Sequence, residues 1–219
     1  MYNLKILSVT LINSTYIYSI MVDAIVSFFK HKEKINEEEL KRIKSEKAMT
    51  RYDLGCVLQE RGKLPEAICC YQKCIKYHPN HIDAHYNLGI SLHELNLLRD
   101  AEKHYKYILK LNPKHGLTLY NLGYLYQDMG LFDKAIRLFQ ESLWVLPNDI
   151  DVLLNLGICF KTLQKYNSAL DTFCLVCELE PKNIMGILNL GMVYNKMKEF
   201  EQAILCFDQI IALDKNNIS

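Results

Sequence analysis

The sequence predicts an all-α solenoid of five helix–turn–helix units, on three observations. A Leu-Gly pair returns every 34 residues, as Asp53-Leu54-Gly55 and then as Asn-Leu-Gly ending at Gly89, Gly123, Gly157 and Gly191. Twelve residues after each glycine stands an alanine (Ala67, Ala101, Ala135, Ala169, Ala203), and four further on an aromatic (Tyr71, Tyr105, Phe139, Phe173, Phe207). Twenty-four residues after the glycine comes Pro79, Pro113, Pro147 or Pro181, with Lys215 in the fifth place. Proline lacks the amide and the room to continue a helix, so one helix stops there each time.

Taken from the N-terminus, Leu4 to Phe29 is apolar, but Asp23 sits inside it, Asn13, Ser14 and Thr15 interrupt it, and no clear small-residue cleavage site follows. Ile17, Ile20, Met21, Ala24, Ile25 and Phe28 share one helical face, with Ser19, Asp23, Ser27 and Lys30 opposite, which is the pattern of an amphipathic helix. Residues 1–34 are open to three readings: a cap on the first unit, a membrane-associated helix, or an artefactual extension if translation starts at Met21. If the segment spans a bilayer, Lys30, Lys32 and Lys34 favour leaving the repeats in the cytoplasm. Residues 35–47 form a charged lead-in. Asn36 and Glu39 stand in capping-box spacing, and Leu40 and Ile43 continue an apolar stripe towards Leu54, so this stretch extends the first repeat helix backwards. The five units then run 48–81, 82–115, 116–149, 150–183 and 184–217. In each, the glycine and the alanine let two helix backbones approach where a branched side chain would hold them apart. Leu54, Leu88, Leu122, Leu156 and Leu190, with the aromatics, supply the buried volume. Ile218-Ser219 would open a sixth unit. Solenoid ends need a polar outer face, so the expectation is either a longer chain or self-association through the exposed repeat end.

Composition excludes other classes. Half the residues are hydrophobic and the net charge is +1, so there is no polybasic surface for nucleic acid. The repeats leave no room for a catalytic domain, and there is no Walker loop, HExxH, GxSxG or dinucleotide glycine fingerprint. The expectation is a protein that is not an enzyme and carries no cofactor. The eight cysteines include Cys174-Leu-Val-Cys177 and the cluster Cys69, Cys70 and Cys74. These groups lie three units apart, roughly 30 Å at about 10 Å per helix layer, so they cannot share one ion. They read as small apolar thiols in a reducing, cytoplasmic compartment. His81 and His85 flank a helix start with no third ligand nearby, so no metal site is expected.

A 34-residue period with small residues at two helix crossings and proline between units resembles the tetratricopeptide repeat. The resemblance covers about Ala48 to Asn217. It implies a right-handed superhelix whose first helices line a concave groove, and a role as a scaffold or adaptor that binds an extended or helical segment of another protein. Residues around each Leu-Gly pair then alternate between core and groove. One groove column runs Asp53, Asn87, Asn121, Asn155, Asn189. An asparagine offers a donor and an acceptor together, which matches a peptide main chain, and layers about 10 Å apart would meet every third residue of an extended segment. The column resembles the asparagine ladder in the repeat domain of O-linked N-acetylglucosamine transferase. That carry-over applies to Asn87, Asn121, Asn155 and Asn189 only, because Asp53 cannot donate and the transferase's catalytic domain is absent. Asparagine is also the commonest residue of this repeat there, so the column is equally readable as consensus.

A second column runs Tyr52, Tyr86, Tyr120, Leu154, Leu188, and a third Cys56, Ile90, Tyr124, Ile158, Met192, which together give the expected groove an apolar floor. Asp53, Glu60, Asp83, Glu94 and Asp128 lie towards one end and Lys161 and Lys196 towards the other, so a segment basic at one end and acidic at the other fits best. Repeat proteins that clamp chaperone carboxylates carry Lys or Arg where this chain has Tyr52, Leu117 and Asn121, and asparagine where it has Cys56; only Asn87 matches, so that partner class is not expected. Two alternatives stand beside the adaptor reading: a membrane-associated, self-assembling scaffold held by the N-terminal helix, and the substrate-recognition arm of a glycosyltransferase.

Overall fold

The computed structural model describes residues 37–215 together with Val22 and Asp23. Among the described residues there are ten α-helices and no strand. They are α1 Glu37–Glu60, α2 Leu64–Tyr77, α3 Ile82–Glu94, α4 Leu98–Leu111, α5 Gly116–Asp128, α6 Phe132–Val145, α7 Ile150–Thr162, α8 Tyr166–Leu179, α9 Ile184–Met197 and α10 Phe200–Lys215. Each consecutive pair is one helical hairpin. Two compact units divide the chain between Leu111 and Asn112. In the first, α1 packs on α2, α3 on α4, α2 on α3, and α1 touches α3. In the second the same rule holds over three hairpins: α6 meets α7, α8 meets α9, and the first helices touch along α5–α7 and α7–α9.

Three backbone demands recur in register. Helices α2, α4, α6 and α8 end two residues before Pro79, Pro113, Pro147 and Pro181. The residue before proline is forced out of the helical region, as at Leu146 (φ −120°, ψ 73°) and Glu180 (φ −131°, ψ 85°). The following first helix is capped: the His81 and His115 Nδ1 atoms accept the amides of Ala84 and Thr118, and the Asp149 and Asn183 oxygens those of Val152 and Gly186, at 2.9 to 3.3 Å. Inside every hairpin the turn needs one left-handed residue: Gly62, Asn96, Gly130, Gln164 and Lys198 have φ between 58° and 71°. Gln164 and Lys198 adopt that conformation against an intrinsic cost of about 1 kcal/mol.

The core of each hairpin is a ring laid on a glycine. Tyr71, Tyr105, Phe139 and Phe173 are fully buried, and their rings cover Gly55, Gly89, Gly123 and Gly157 so closely that a Cβ at any of these glycines would lie 2.5 to 2.8 Å from a ring atom. The Tyr71 hydroxyl donates to Gln59 Oε1 at 2.7 Å. The equivalent hydroxyl of Tyr105 is buried and, among the described residues, meets no partner. Tyr105→Phe, which installs the residue found at 139 and 173, is therefore expected to leave stability unchanged or raise it by up to about 1 kcal/mol. A urea melt showing a loss of that size would mean the hydroxyl has a partner.

Ahead of α1 the Asp23 carboxylate pairs with Lys47 Nζ, whose ammonium also lies over the Tyr77 ring, 5.4 Å from its centroid. The expected amphipathic stripe from Ile17 to Phe28 and the Asn36 half of the capping box otherwise lie outside the described residues.

Candidate functional site

In the first unit, α1 and α3 bring together Tyr52, Cys56 and Asn87. The Asn87 amide nitrogen donates to Tyr52 Oη at 3.3 Å and lies 3.5 Å from Cys56 Sγ. Tyr52 also packs against the core of Ala48, Cys74 and Ala84, and its ring lies 4.9 Å from that of His81. Burial, then the Cys56 thiol, push the Tyr52 phenol up to about 12, so it stays protonated. Asp53 is exposed, while Tyr86 and Ile90 are half-buried.

In the second unit the same geometry returns one layer at a time. Asn155 Nδ2 donates to Tyr120 Oη at 3.2 Å and to its own helix at Asp151 O (2.8 Å), and Asn155 Oδ1 accepts from Gln127 Nε2 at 3.3 Å. Asn189 is only 4 % exposed. Its Nδ2 donates to Met185 O at 2.8 Å and its Oδ1 accepts from Lys161 Nζ at 2.6 Å. Asn121 is half-buried. The sequence left these amides open to a peptide ladder or to plain repeat consensus. In the folded chain Asn87, Asn155 and Asn189 reach residues of the preceding hairpin, because a neighbour 28 to 35 positions away lies directly beneath each of them. An asparagine column joins hairpins here before it meets any ligand.

The apolar columns divide. Leu154 and Ile158 lean on the core of Ala169, Phe173 and Val193, and Leu188 is half-buried. Leu117, Tyr124 and Met192 stand 40 to 50 % exposed. The Tyr120 and Tyr124 rings lie nearly parallel, 6.5 Å apart. This first-helix face therefore presents exposed apolar side chains on α5 and α9, with polar joints at Asn155 and Asn189 and the exposed carboxylate Asp151 on α7 between them. Sequence reasoning missed the column four residues after each glycine (Gln59, His93, Gln127, Lys161, Asn195), whose members at 127 and 161 make those joints. Its residue types differ so much that identity matching could not find it.

Four of the eight thiols sit as small buried groups, while Cys69 is exposed and Cys56, Cys174 and Cys177 are half-buried. Cys70, Cys74, Cys159 and Cys206 are buried, and burial raises Cys74 and Cys177 to about 11 and Cys159 to about 12, so none of these three is a thiolate nucleophile at neutral pH. His81 is a helix cap. His85 faces His104 and the Pro79 carbonyl. Among the described residues no helix is long and apolar enough to cross a membrane.

Comparison with known proteins agrees with this geometry. Family models described as TPR repeat and tetratricopeptide repeat match residues 55–96, 117–149, 150–183 and 186–217. Among solved structures, MamA 41-end from Desulfovibrio magneticus RS-1 superposes with a TM-score of 0.76 at 20% identity, covering 79% of this chain and 98% of that one. YrrB, described as "a TPR protein with an unusual peptide-binding site", superposes at 0.67 with 20% identity, over 78% of this chain and 88% of that one. The pilF protein of Pseudomonas aeruginosa gives 0.68 at 20% identity, over 77% of each chain. At these identities the superpositions speak for the fold alone. A search of the curated proteins returns no match.

Proposed function

Because this chain belongs to the tetratricopeptide repeat family, whose members serve as protein-interaction scaffolds, we propose that it is a non-enzymatic adaptor that binds a segment of another protein along the first helices of its hairpins. The observation that carries this reading is the stripe of Leu117, Tyr124 and Met192, three large apolar side chains left 40 to 50 % exposed on first helices whose opposite sides pack on the second helices. Exposed apolar area of this kind, bordered by the polar joints at Asn155 and Asn189, matches the composition of a protein-binding patch. The peptide-binding site ascribed to YrrB supports the same use of the fold. Ordering a flexible segment offsets much of the contact energy, so the affinity is expected to lie on the order of micromolar.

In this reading the asparagine column sets the register between hairpins, and the exposed side chains meet the ligand. The test is affinity purification with mass spectrometry, comparing the native chain with the variant Tyr124→Ser, Met192→Ser. Both positions are solvent-facing, so helicity and melting temperature should hold while a defined set of partners is lost. An identical partner list from an equally helical variant would remove this face from consideration.

A further inference from the structure

The column four residues after each glycine reads Gln59, His93, Gln127, Lys161, Asn195. At Gln127 both ends of a neutral amide are engaged: Nε2 donates to Asn155 Oδ1 at 3.3 Å, and Oε1 accepts from Cys159 Sγ at 3.2 Å. One hairpin later a full positive charge takes that place. Lys161 Nζ donates to Asn189 Oδ1 at 2.6 Å, which takes one of its three N–H groups. Among the described residues the partner of the ammonium is a neutral oxygen, and Asn189 turns its other end to Met185 O. Among the described residues no carboxylate pairs with it. Lys161 is half-buried. Burial lowers its affinity for the proton, and no neighbouring anion counters that effect.

Position along the helices places this cation beside the apolar stripe. The Lys161 ammonium reaches across from α7 to Asn189 on α9, and Asn189 lies three residues before Met192, so the joint that holds the cation sits one helical turn from a side chain assigned to ligand contact. We propose that Lys161 is the anion anchor of that face, taking the side-chain carboxylate of an aspartate or glutamate set within an otherwise apolar segment of a partner protein. This rests on the adaptor reading above and names the chemistry of its ligand. A single ammonium matches a monoanionic carboxylate. A phosphate dianion calls for the guanidinium fork or a larger set of donors.

The test uses the full chain and a displayed library of random peptides, with affinities of the selected peptides measured by fluorescence polarisation. Selected peptides are expected to carry Asp or Glu next to large apolar residues. They should bind the Lys161→Gln variant about tenfold more weakly, as loss of one partly desolvated charge pair requires. Replacing the peptide's acid by its amide should cost the same factor against the native chain and nothing further against Lys161→Gln. Glutamine already occupies this position at 59 and 127, so the variant should keep its helicity, and Lys161→Arg should retain the acid preference. Selected peptides without acid enrichment, or with equal affinity for Lys161→Gln, overturn the anchor while leaving the adaptor intact. Selection of no peptide by a fully helical chain overturns both. Self-association of the chain that Lys161→Gln abolishes, with no acidic peptide selected, also overturns the proposal and reassigns Lys161 to contact between copies.

Discussion

Gly157→Val is expected to destabilise the fourth hairpin by roughly 3 kcal/mol, and Phe173→Ala, its mirror image, by about 3–5 kcal/mol. A Cβ on Gly157 would stand 2.6 Å from both Cε1 and Cζ of Phe173. The ring is completely buried. Phe173→Ala removes the same contact from the other side, leaving a cavity against Ala169 and Val193. Gly157→Ala is the sharper test, because in an open helix it would gain about 1 kcal/mol. Here overpacking of about 1–3 kcal/mol opposes that gain, so a net loss is expected. Urea denaturation followed by circular dichroism reads all three, and a midpoint raised by Gly157→Ala would sink the account. The double variant Gly157→Ala, Phe173→Leu should lose less than the sum of its parts, because the atoms that clash belong to the ring. Repeat arrays are stabilised by each unit and its neighbours, so the loss should appear first in α7 and α8 and the hairpins touching them.

The positions that make this contact were legible in the sequence, because glycine and aromatic stand sixteen residues apart in all five units, but the reading set the glycine against the alanine of the second helix, whereas the structure lays the aromatic ring on it. The fold followed from such positions. The caps and turns recur in the same register yet were not legible. His81, His115, Asp149 and Asn183 share one duty, as do Gly62, Asn96, Gly130, Gln164 and Lys198. The backbone asks for an acceptor, or for a left-handed residue, and several residue types supply each. The site divides along the same line. The asparagine column was found because its identity is constant, but its chemistry stayed open between a ligand ladder and repeat consensus, since pattern alone does not show that Tyr120 Oη lies within reach of Asn155. Lys161 was noted as a groove charge. Its significance appears only when Gln127 is seen making the neutral version of the same joint.

Acidification should weaken the second hairpin through a histidine pair, His85 buried and His104 half-buried. His85 Nε2 lies 2.8 Å from the Pro79 carbonyl, which can only accept, so Nε2 carries the proton and Nδ1 of the neutral ring is a lone pair. That lone pair faces His104 Nδ1 at 2.9 Å, which must then donate. The arrangement is satisfied with both rings neutral, and a proton added to His85 sets two N–H groups head to head. Burial first, then the charge of His85, hold His104 down to about 4, with Lys103 acting the same way and Asp100 against it. Burial likewise lowers His85, reinforced by His81 and opposed by the Pro79 carbonyl. An unfolded imidazole titrates near 6.5. The unfolded chain therefore binds more protons than the native one between about 6.5 and 4. Stability is full above that window and falls as the pH drops through it, by about 2 kcal/mol at pH 5 for one such group. The third hairpin supplies the control, since Leu119 and Leu138 occupy the equivalent positions. His85→Leu, His104→Leu should fold at pH 7 with little change, because both polar partners leave together, and should lose most of the decline between pH 6.5 and 5. His81, a cap whose Nδ1 acceptor is also lost on protonation, is removed separately by His81→Asn, the residue that caps α9. A double leucine variant with an unchanged pH profile would show that the pair does not carry the acid response.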